Sequence, residues 1–149
     1  MNIADFLSPS DVVVGVACAD KNQVLRELAE RSAVALRIPA ALILTGLSNR
    51  ENLGSTGTGG GVAIPHARVD FVTKPYGLLM RLKRPVDFES MDGKPVDLVF
   101  MVLLPSKSAG DQLGVLASVS RTLRSSGIVR KMRDAATPAE LSRIVLSPI

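Results

Sequence analysis

Residues 77–104, GLLMRLKRPVDFESMDGKPVDLVFMVLL, contain two apolar segments joined by a polar connection. The segments 77–82 (GLLMRL) and 96–104 (VDLVFMVLL) are rich in leucine and β-branched residues, which is typical of well-buried strands. The sequence MDGKP (91–95) between them is typical of a turn. The segment therefore predicts a sheet at the core of the fold.

The residues before this pair predict another strand and two helices. Val12–Val16 has the composition of a strand, and Asp20 with Gln23 forms a capping box that opens a helix. Pro39 opens a second helix, which we expect to end at Gly54, a plausible glycine for the first position after a helix.

Helices are also predicted after the strand pair. Apolar residues recur at helical spacing over residues 109–125, and we expect them to form one buried face: Leu113, Leu116, Val119 and Leu123. Thr137 and Glu140 form a capping box that opens a last helix. Because helices alternate with strands and no linker divides the chain, the sequence predicts one layered α/β domain over residues 1–149.

Composition limits the possible function classes. The chain has one cysteine, Cys18, so neither a disulfide framework nor a cysteine-based metal cluster is expected. It has no apolar run of about 20 residues and no basic, apolar leader, which predicts a cytoplasmic protein without membrane insertion. Five basic and no acidic residues lie within 121–133, a pattern that favours a solvated face or a protein-docking rim. Nucleic-acid binding is the weaker interpretation because the aromatic residues are scattered.

The glycine-rich segment GSTGTGGGVAIPH (54–66) is the strongest candidate for chemistry. Glycine lets a ligand approach backbone N–H groups closely, so such a loop can hold an anion, although a flexible loop has the same composition. The segment lacks the Gly-Lys-Ser/Thr of a Walker loop and does not satisfy G-x-G-x-x-G, which argues against a nucleotide site.

His66, the only histidine, follows this segment directly. Neutral imidazole is a nucleophile near neutral pH and accepts a phosphoryl group when donors and a cation lie beside it. Arg50 is the candidate cation, because guanidinium binds phosphate oxygens bidentately. The alternatives are a histidine without a special role and an Arg50 that forms a surface ion pair with Glu51 or another acid. One histidine with no flanking carboxylate or thiolate gives little support for a metal site.

With these motifs, the chain resembles the fructose/mannitol-type enzyme IIA domain of the bacterial phosphoenolpyruvate:sugar phosphotransferase system, especially its nitrogen-regulatory branch. The resemblance covers nearly the whole chain and rests on residues 48–69 (SNRENLGSTGTGGGVAIPHARV), 79–105 and 113–141. It implies a mixed central sheet flanked by helices. It also implies a phosphotransferase that needs no metal or other cofactor.

The resemblance implies specific roles for residues near the glycine loop. His66 would accept a phosphoryl group through Nε2 from the phosphohistidine of an HPr-like carrier, and Arg50 would bind the phosphate. The implied phosphate ligands are the hydroxyl groups of Ser55, Thr56 and Thr58, together with backbone N–H groups of the same loop, including those of Gly57 and Gly59. Many relatives carry a second histidine on the helix corresponding to 109–125, where this chain has Gln112 and Gly114.

Several outputs are compatible with this chemistry. The leading hypothesis is a regulatory phosphocarrier, for which the resemblance implies an HPr-like donor and, as candidate targets, potassium-transport proteins or sensor kinases. The others are a sugar-specific IIA component that passes phosphate to a IIB domain, a binding module that is not phosphorylated, and a nucleic-acid binder. Intact Arg50, His66 and glycine loop argue against the loss of phosphorylation.

Overall fold

A computed structural model describes residues 2–107 and 112–147, without the side chain of Gln112. The strands in this part of the chain are β1 (Val12–Val16), β2 (Gly57–Gly59), β3 (Val62–Ala63), β4 (His66–Val69), β5 (Tyr76–Val86) and β6 (Val96–Pro105). The α-helices are α1 (Lys21–Leu36), α2 (Ala40–Asn52), α3 (Gln112–Arg124), α4 (Ser126–Asp134) and α5 (Pro138–Leu146). Two short 3-10 helices, Ile3–Asp5 and Pro9–Asp11, precede β1.

The sheet is built around β6. Its order is β1-β5-β6-β3-β2, and β4 pairs with β6 beyond β3 on the same side. β5 runs antiparallel to β6, whereas β3 and β4 run parallel to it, so the predicted mixed sheet is confirmed. β3 and β4 are two short strands in line along one edge of β6, and the His66 end of β4 lies opposite Val102.

Side chains of β6 alternate between two cores. Val99, Met101 and Leu103 face a core shared with α1 and α2, and Phe100 and Val102 face a core shared with α3, α4 and α5. Burial of such a side chain stabilises the fold by roughly 1.5–3 kcal/mol. Because both faces of β6 are covered, its sequence is apolar apart from Asp97 near its start, rather than alternating.

Local capping signals predicted two helix starts correctly. The Asp20 carboxylate accepts a hydrogen bond from the Gln23 backbone N–H at 2.8 Å, and the Gln23 side chain accepts one from Ala19. At α5, Thr137 Oγ1 accepts from the Glu140 N–H at 3.1 Å. These bonds satisfy N–H groups that have no partner within their helices.

The predicted helix at 109–125 differs from the observed one. Residues 109–111 lie outside the described part of the chain, and α3 begins at Gln112. Leu113 is 83% exposed, so its predicted place on the buried face is wrong, and Val115 is buried instead. Val119 and Leu123 belong to both possible faces, and packing against the sheet selects the one that contains Val115.

Two features were not predicted. The segment 126–134 forms a separate helix, α4, whose start is capped by Ser125 Oγ accepting from the Ile128 N–H at 3.4 Å. The glycine-rich segment contains β2 and β3, which form a small antiparallel pair attached to β6 through β3. Within the described residues, no helix has the length and apolar character needed to cross a membrane.

Candidate functional site

His66 is the first residue of β4, and both of its ring nitrogens have partners. Nδ1 lies 3.0 Å from the carbonyl oxygen of Ile64, and Nε2 lies 3.2 Å from Nε of Arg50. The side chain is only partly buried. The predicted pair of His66 and Arg50 is therefore brought into direct contact.

These partners define the protonation of the imidazole. A carbonyl only accepts and the guanidinium only donates, so the arrangement assigns the proton of neutral His66 to Nδ1 and the lone pair to Nε2. Nδ1–H then donates to Ile64, and Arg50 Nε–H donates to Nε2. The nitrogen with nucleophilic character is thus the one beside Arg50.

Close packing of α2 on β4 brings Arg50 to this position. A Cβ placed on Gly46 would lie 3.1 Å from Cβ of Ala67, so the absence of a side chain at Gly46 allows a close approach. Residues one turn apart share a helix face, and Arg50 follows Gly46 by four positions. Arg50 Nη1 also donates to the Gly54 carbonyl at 2.8 Å, which holds the guanidinium across the end of α2.

The charge of Arg50 is not neutralised by Glu51. The Glu51 carboxylate instead binds Lys21 Nζ at 2.7 Å, on the first turn of α1. Among the described residues, no carboxylate oxygen lies within 4.0 Å of the Arg50 guanidinium. The predicted alternative of an Arg50–Glu51 ion pair is therefore wrong, and a positive charge remains beside Nε2.

Hydroxyl groups of the glycine loop have internal partners. Ser55 Oγ donates to the Phe88 carbonyl, the buried Thr56 donates to the Glu51 carboxylate, and Thr58 Oγ1 lies 3.4 Å from the Val62 carbonyl. Direct donation from Ser55 or Thr56 to a phosphate would require these bonds to break. Thr58 is exposed, and its bond is the longest of the three.

The two glycines predicted as phosphate ligands have different surroundings. Gly57 is buried, its N–H donates to Ser55 Oγ at 3.0 Å, and a Cβ there would overlap the Ser90 hydroxyl. Gly59 has a φ of +99°, a conformation that side chains rarely adopt, and it precedes the tip of the β2–β3 hairpin. Gly60 N–H at that tip donates to Asp92 at 2.9 Å.

The remaining sequence features lie on α3 and α4. Gln112 and Gly114 are in the first turn of α3, but the Gln112 side chain lies outside the described residues. The bases in 121–133 are divided between the two helices. Arg133 binds Asp97 at 2.9 Å, and the others are exposed: Arg121, Arg124, Arg130 and Lys131.

Sequence reasoning missed two supports of the site. One is Gly46, whose signal was a helix-interior glycine one turn before Arg50. The other is the buried Glu51–Lys21 pair, which joins residues 30 positions apart and leaves no local signal.

Comparisons with known proteins assign the chain to a family. The family model described as "Phosphoenolpyruvate-dependent sugar phosphotransferase system, EIIA 2" matches residues 5–147. A nitrogen regulatory protein of Bradyrhizobium diazoefficiens is 38% identical over 148 residues, which cover 99% of this chain and 97% of that protein. These values apply to nearly the full length of both chains.

Solved structures agree with the fold. The nitrogen regulatory protein IIA-Ntr from Neisseria meningitidis superposes with a TM-score of 0.90 at 31% identity, covering 96% of this chain and 98% of that chain. The IIA mannitol protein from Escherichia coli shares the fold with a TM-score of 0.77 at 18% identity, covering 91% and 96%. The chain therefore belongs to the EIIA 2 family of the phosphoenolpyruvate-dependent sugar phosphotransferase system.

Proposed function

We propose that this protein is a regulatory phosphocarrier that accepts a phosphoryl group on Nε2 of His66 from an HPr-like phosphohistidine protein. The observation that carries the proposal is the arrangement of one imidazole between the Ile64 carbonyl and Arg50. It leaves the Nε2 lone pair beside a cation with no carboxylate partner among the described residues.

The transfer replaces one nitrogen–phosphorus bond with another. The Nε2 lone pair attacks phosphorus, and the bond to the donor histidine breaks with its electrons returning to the donor imidazole. The proton of His66 stays on Nδ1, where the hydrogen bond to the Ile64 carbonyl stabilises the positive charge that develops on the ring. In this mechanism no proton leaves the acceptor, and neither a metal nor a nucleotide takes part.

Arg50 has two successive roles in this mechanism. In the resting site its Nε–H occupies the Nε2 lone pair, so this hydrogen bond must break before attack. The released N–H groups then lie beside the new phosphate oxygens, while the bond to Gly54 keeps the guanidinium in place. Charge spreads over these oxygens in the transition state, so a fixed cation there lowers the barrier.

The proposed output is regulation, and its support is that two relatives, at 38% and 31% identity over nearly the full chain, are nitrogen regulatory proteins. Phosphorylation adds up to about two negative charges beside Arg50, which changes how a partner docks on that surface. Candidate targets are potassium-transport proteins or sensor kinases. We further propose that residues 1–149 act as a single cytoplasmic domain that does not bind nucleic acid.

The experiment is intact-mass spectrometry after incubation with phosphoenolpyruvate, enzyme I and an HPr-like carrier. We expect one acid-labile adduct of about 80 Da on the wild type and none on His66→Ala. Circular dichroism on both proteins checks that His66→Ala remains folded, as expected for a partly exposed side chain on β4. An Arg68→Ala variant, which changes an exposed residue of the same strand, is the matched control.

Each other outcome points to a different function. An unmodified wild type with several HPr-like donors would leave a binding module as the interpretation. An adduct that survives in His66→Ala would move the chemistry to another residue. Rapid onward transfer to the cysteine of a IIB domain would favour a sugar-specific IIA component over a regulator.

A further inference from the structure

A buried ionic network lies directly behind the candidate site. Glu51 is 6% exposed, and its carboxylate binds Lys21 at 2.7 Å, the Thr56 backbone N–H at 3.2 Å and the Thr56 hydroxyl. Lys21 Nζ also lies 5.0 Å from the centroid of the Phe88 ring. A buried carboxylate costs free energy unless it is paired and hydrogen-bonded, and here both oxygens have partners.

The network reaches Nδ1 of His66 through one hydrogen bond between backbone groups and one between the Ile64 carbonyl and the imidazole. Glu51 fixes both the N–H and the hydroxyl of Thr56, and the Thr56 carbonyl accepts from the Ile64 N–H at 3.0 Å. The Ile64 carbonyl in turn accepts from Nδ1 of His66 at 3.0 Å. Displacement of Thr56 would therefore move the carbonyl that determines the imidazole tautomer.

The network also reaches Nε2 of His66, through Arg50. Glu51 and Thr56 hold the two ends of the turn 52–55, and the Gly54 N–H donates to the Glu51 carbonyl at 3.1 Å. Gly54 offers its own carbonyl to Arg50 Nη1, and Arg50 Nε contacts Nε2. The same carboxylate thus supports the partners of both ring nitrogens.

We propose that Glu51, neutralised by Lys21 and bound to Thr56, is a positioning residue for phosphoryl transfer: it holds His66 in the Nδ1–H tautomer and holds Arg50 beside Nε2. The inference rests on the proposed function, because it assigns a role within that reaction. It also assigns the Thr56 hydroxyl to this support rather than to the phosphate.

The imidazole itself provides a readout that does not depend on activity. His66 is the only histidine, so its two ring nitrogens are unambiguous in ¹⁵N spectra. In the neutral wild type we expect the Nδ1–H tautomer to dominate. In Glu51→Gln and Thr56→Val we expect a larger share of the Nε2–H tautomer, with Thr56→Ser close to the wild type because it keeps the hydroxyl.

Kinetics supply the second readout. Glu51→Gln should lower kcat for transfer from the phosphorylated HPr-like protein on the order of 10-fold to 100-fold, as expected for a misplaced reacting group. KM for the donor should not change, since Glu51 is buried and does not contact it. The double variant Glu51→Gln/Thr56→Val should transfer as slowly as Glu51→Gln alone, because both residues act through one network.

The control separates positioning from stability. Val145→Ala shortens a fully buried side chain of α5. This residue lies in the core shared with α3 and α4, on the face of the sheet opposite to α1 and α2. It should lower the melting temperature without changing the His66 tautomer or kcat at a temperature where it is folded. If Glu51→Gln lowers kcat no more than Val145→Ala does, the network is only structural and the proposal is overturned.

Further outcomes are also decisive. If the fall in kcat of the double variant equals the product of the falls in Glu51→Gln and Thr56→Val, Thr56 contacts the phosphate independently, which contradicts the proposal. An unchanged tautomer and an unchanged kcat in both variants would refute positioning while phosphorylation of the wild type upholds the proposed function. If the wild type takes no phosphate, the proposed function fails, and the ¹⁵N spectra still decide whether Glu51 orients His66.

Discussion

Replacing Arg50 with glutamine tests the central contact of the site. The guanidinium has five N–H donors, of which one is held by Gly54 and one by His66 Nε2 in the resting protein. Once Nε2 carries phosphate, two donors are expected to bind its oxygens, and each charge-assisted bond contributes about 1.5–3 kcal/mol. Because the site is partly exposed, we take the lower end for both bonds, about 3 kcal/mol, which corresponds to about a 10²-fold fall in kcat.

The assay is the initial rate of phosphate uptake at saturating phosphorylated HPr-like donor, followed by intact mass in rapidly quenched samples. Arg26→Gln removes the same charge from an exposed position on α1 and should transfer at the wild-type rate. Arg50→Lys should fall between Arg50→Gln and the wild type, since an ammonium keeps the charge but not the planar pair of donors. An Arg50→Gln rate within about threefold of the wild type would refute the assigned role, since this corresponds to less than about 0.7 kcal/mol.

Other predictions concern stability and pH. Gly46→Ala should not gain the roughly 1 kcal/mol of stability expected for an exposed helix interior, because the added methyl group would lie 3.1 Å from Cβ of Ala67 on β4. Gly127→Ala should increase the urea midpoint, because a methyl group there would meet no atom of another segment within 4 Å. Burial, and then the hydrogen bond to Asp11, raise the pKa of Tyr76, so its contribution to stability is complete below about pH 10 and falls as the pH rises. Tyr76 is the only tyrosine of the chain, so near-ultraviolet absorbance of the folded protein should show no ionisation at pH 10. Tyr76→Phe should have a flatter alkaline stability profile than the wild type. Hydrogen bonds from the backbone N–H groups of Gly60 and Lys94 lower the pKa of Asp92, so its contribution to stability is present above about pH 4 and is lost as the pH falls and the carboxylate is protonated. In urea unfolding between pH 5 and pH 2.5, the stability of Asp92→Asn should therefore decrease less than that of the wild type.

Strong, local signals allowed correct prediction of the main elements. The segments 77–82 and 96–104 were recognisable because a strand covered on both faces is apolar along most of its length, and each segment contains a single charged residue. The capping boxes at Asp20 and Thr137 were recognisable because both partners lie within one helical turn. Information of this kind is contained in a few neighbouring residues.

Elements that depend on distant contacts were not predictable in this way. β3 has only two residues, and its pairing with Leu98 and Val99 is made by a part of the chain more than 30 residues away. Helical spacing alone did not distinguish a face with Leu113 from one with Val115, since both include Val119. The helix at 126–134 was missed although Ser125 caps it, because the basic residues that follow were interpreted only as a charged surface.

The candidate site shows the same division. His66 and Arg50 were both selected from the sequence, and the structure brings their side chains together at 3.2 Å. Ser55 and Thr56 were expected as phosphate ligands because the family resemblance implies that hydroxyls of the glycine loop donate to the phosphate. Their bonds to Phe88 and Glu51 depend on packing against other segments.

These contacts favour a division of labour within the glycine-rich segment. The Ser55 and Thr56 hydroxyls are directed into the protein, so flexibility at those positions is opposed by hydrogen bonds to the Phe88 carbonyl in the β5–β6 connection and to the buried Glu51 carboxylate. The Arg50 guanidinium lies beside Nε2 and has N–H groups that are not used by His66 or Gly54. Its charge has no carboxylate partner among the described residues, so it can bind an anionic ligand. Under the proposed function, an incoming phosphoryl group therefore meets a pre-organised imidazole and one adaptable cation. Loss of the cation should mainly lower the rate, because the Ile64 carbonyl still accepts from Nδ1 of His66. Loss of the support behind both ring partners should lower the rate and also change the tautomer.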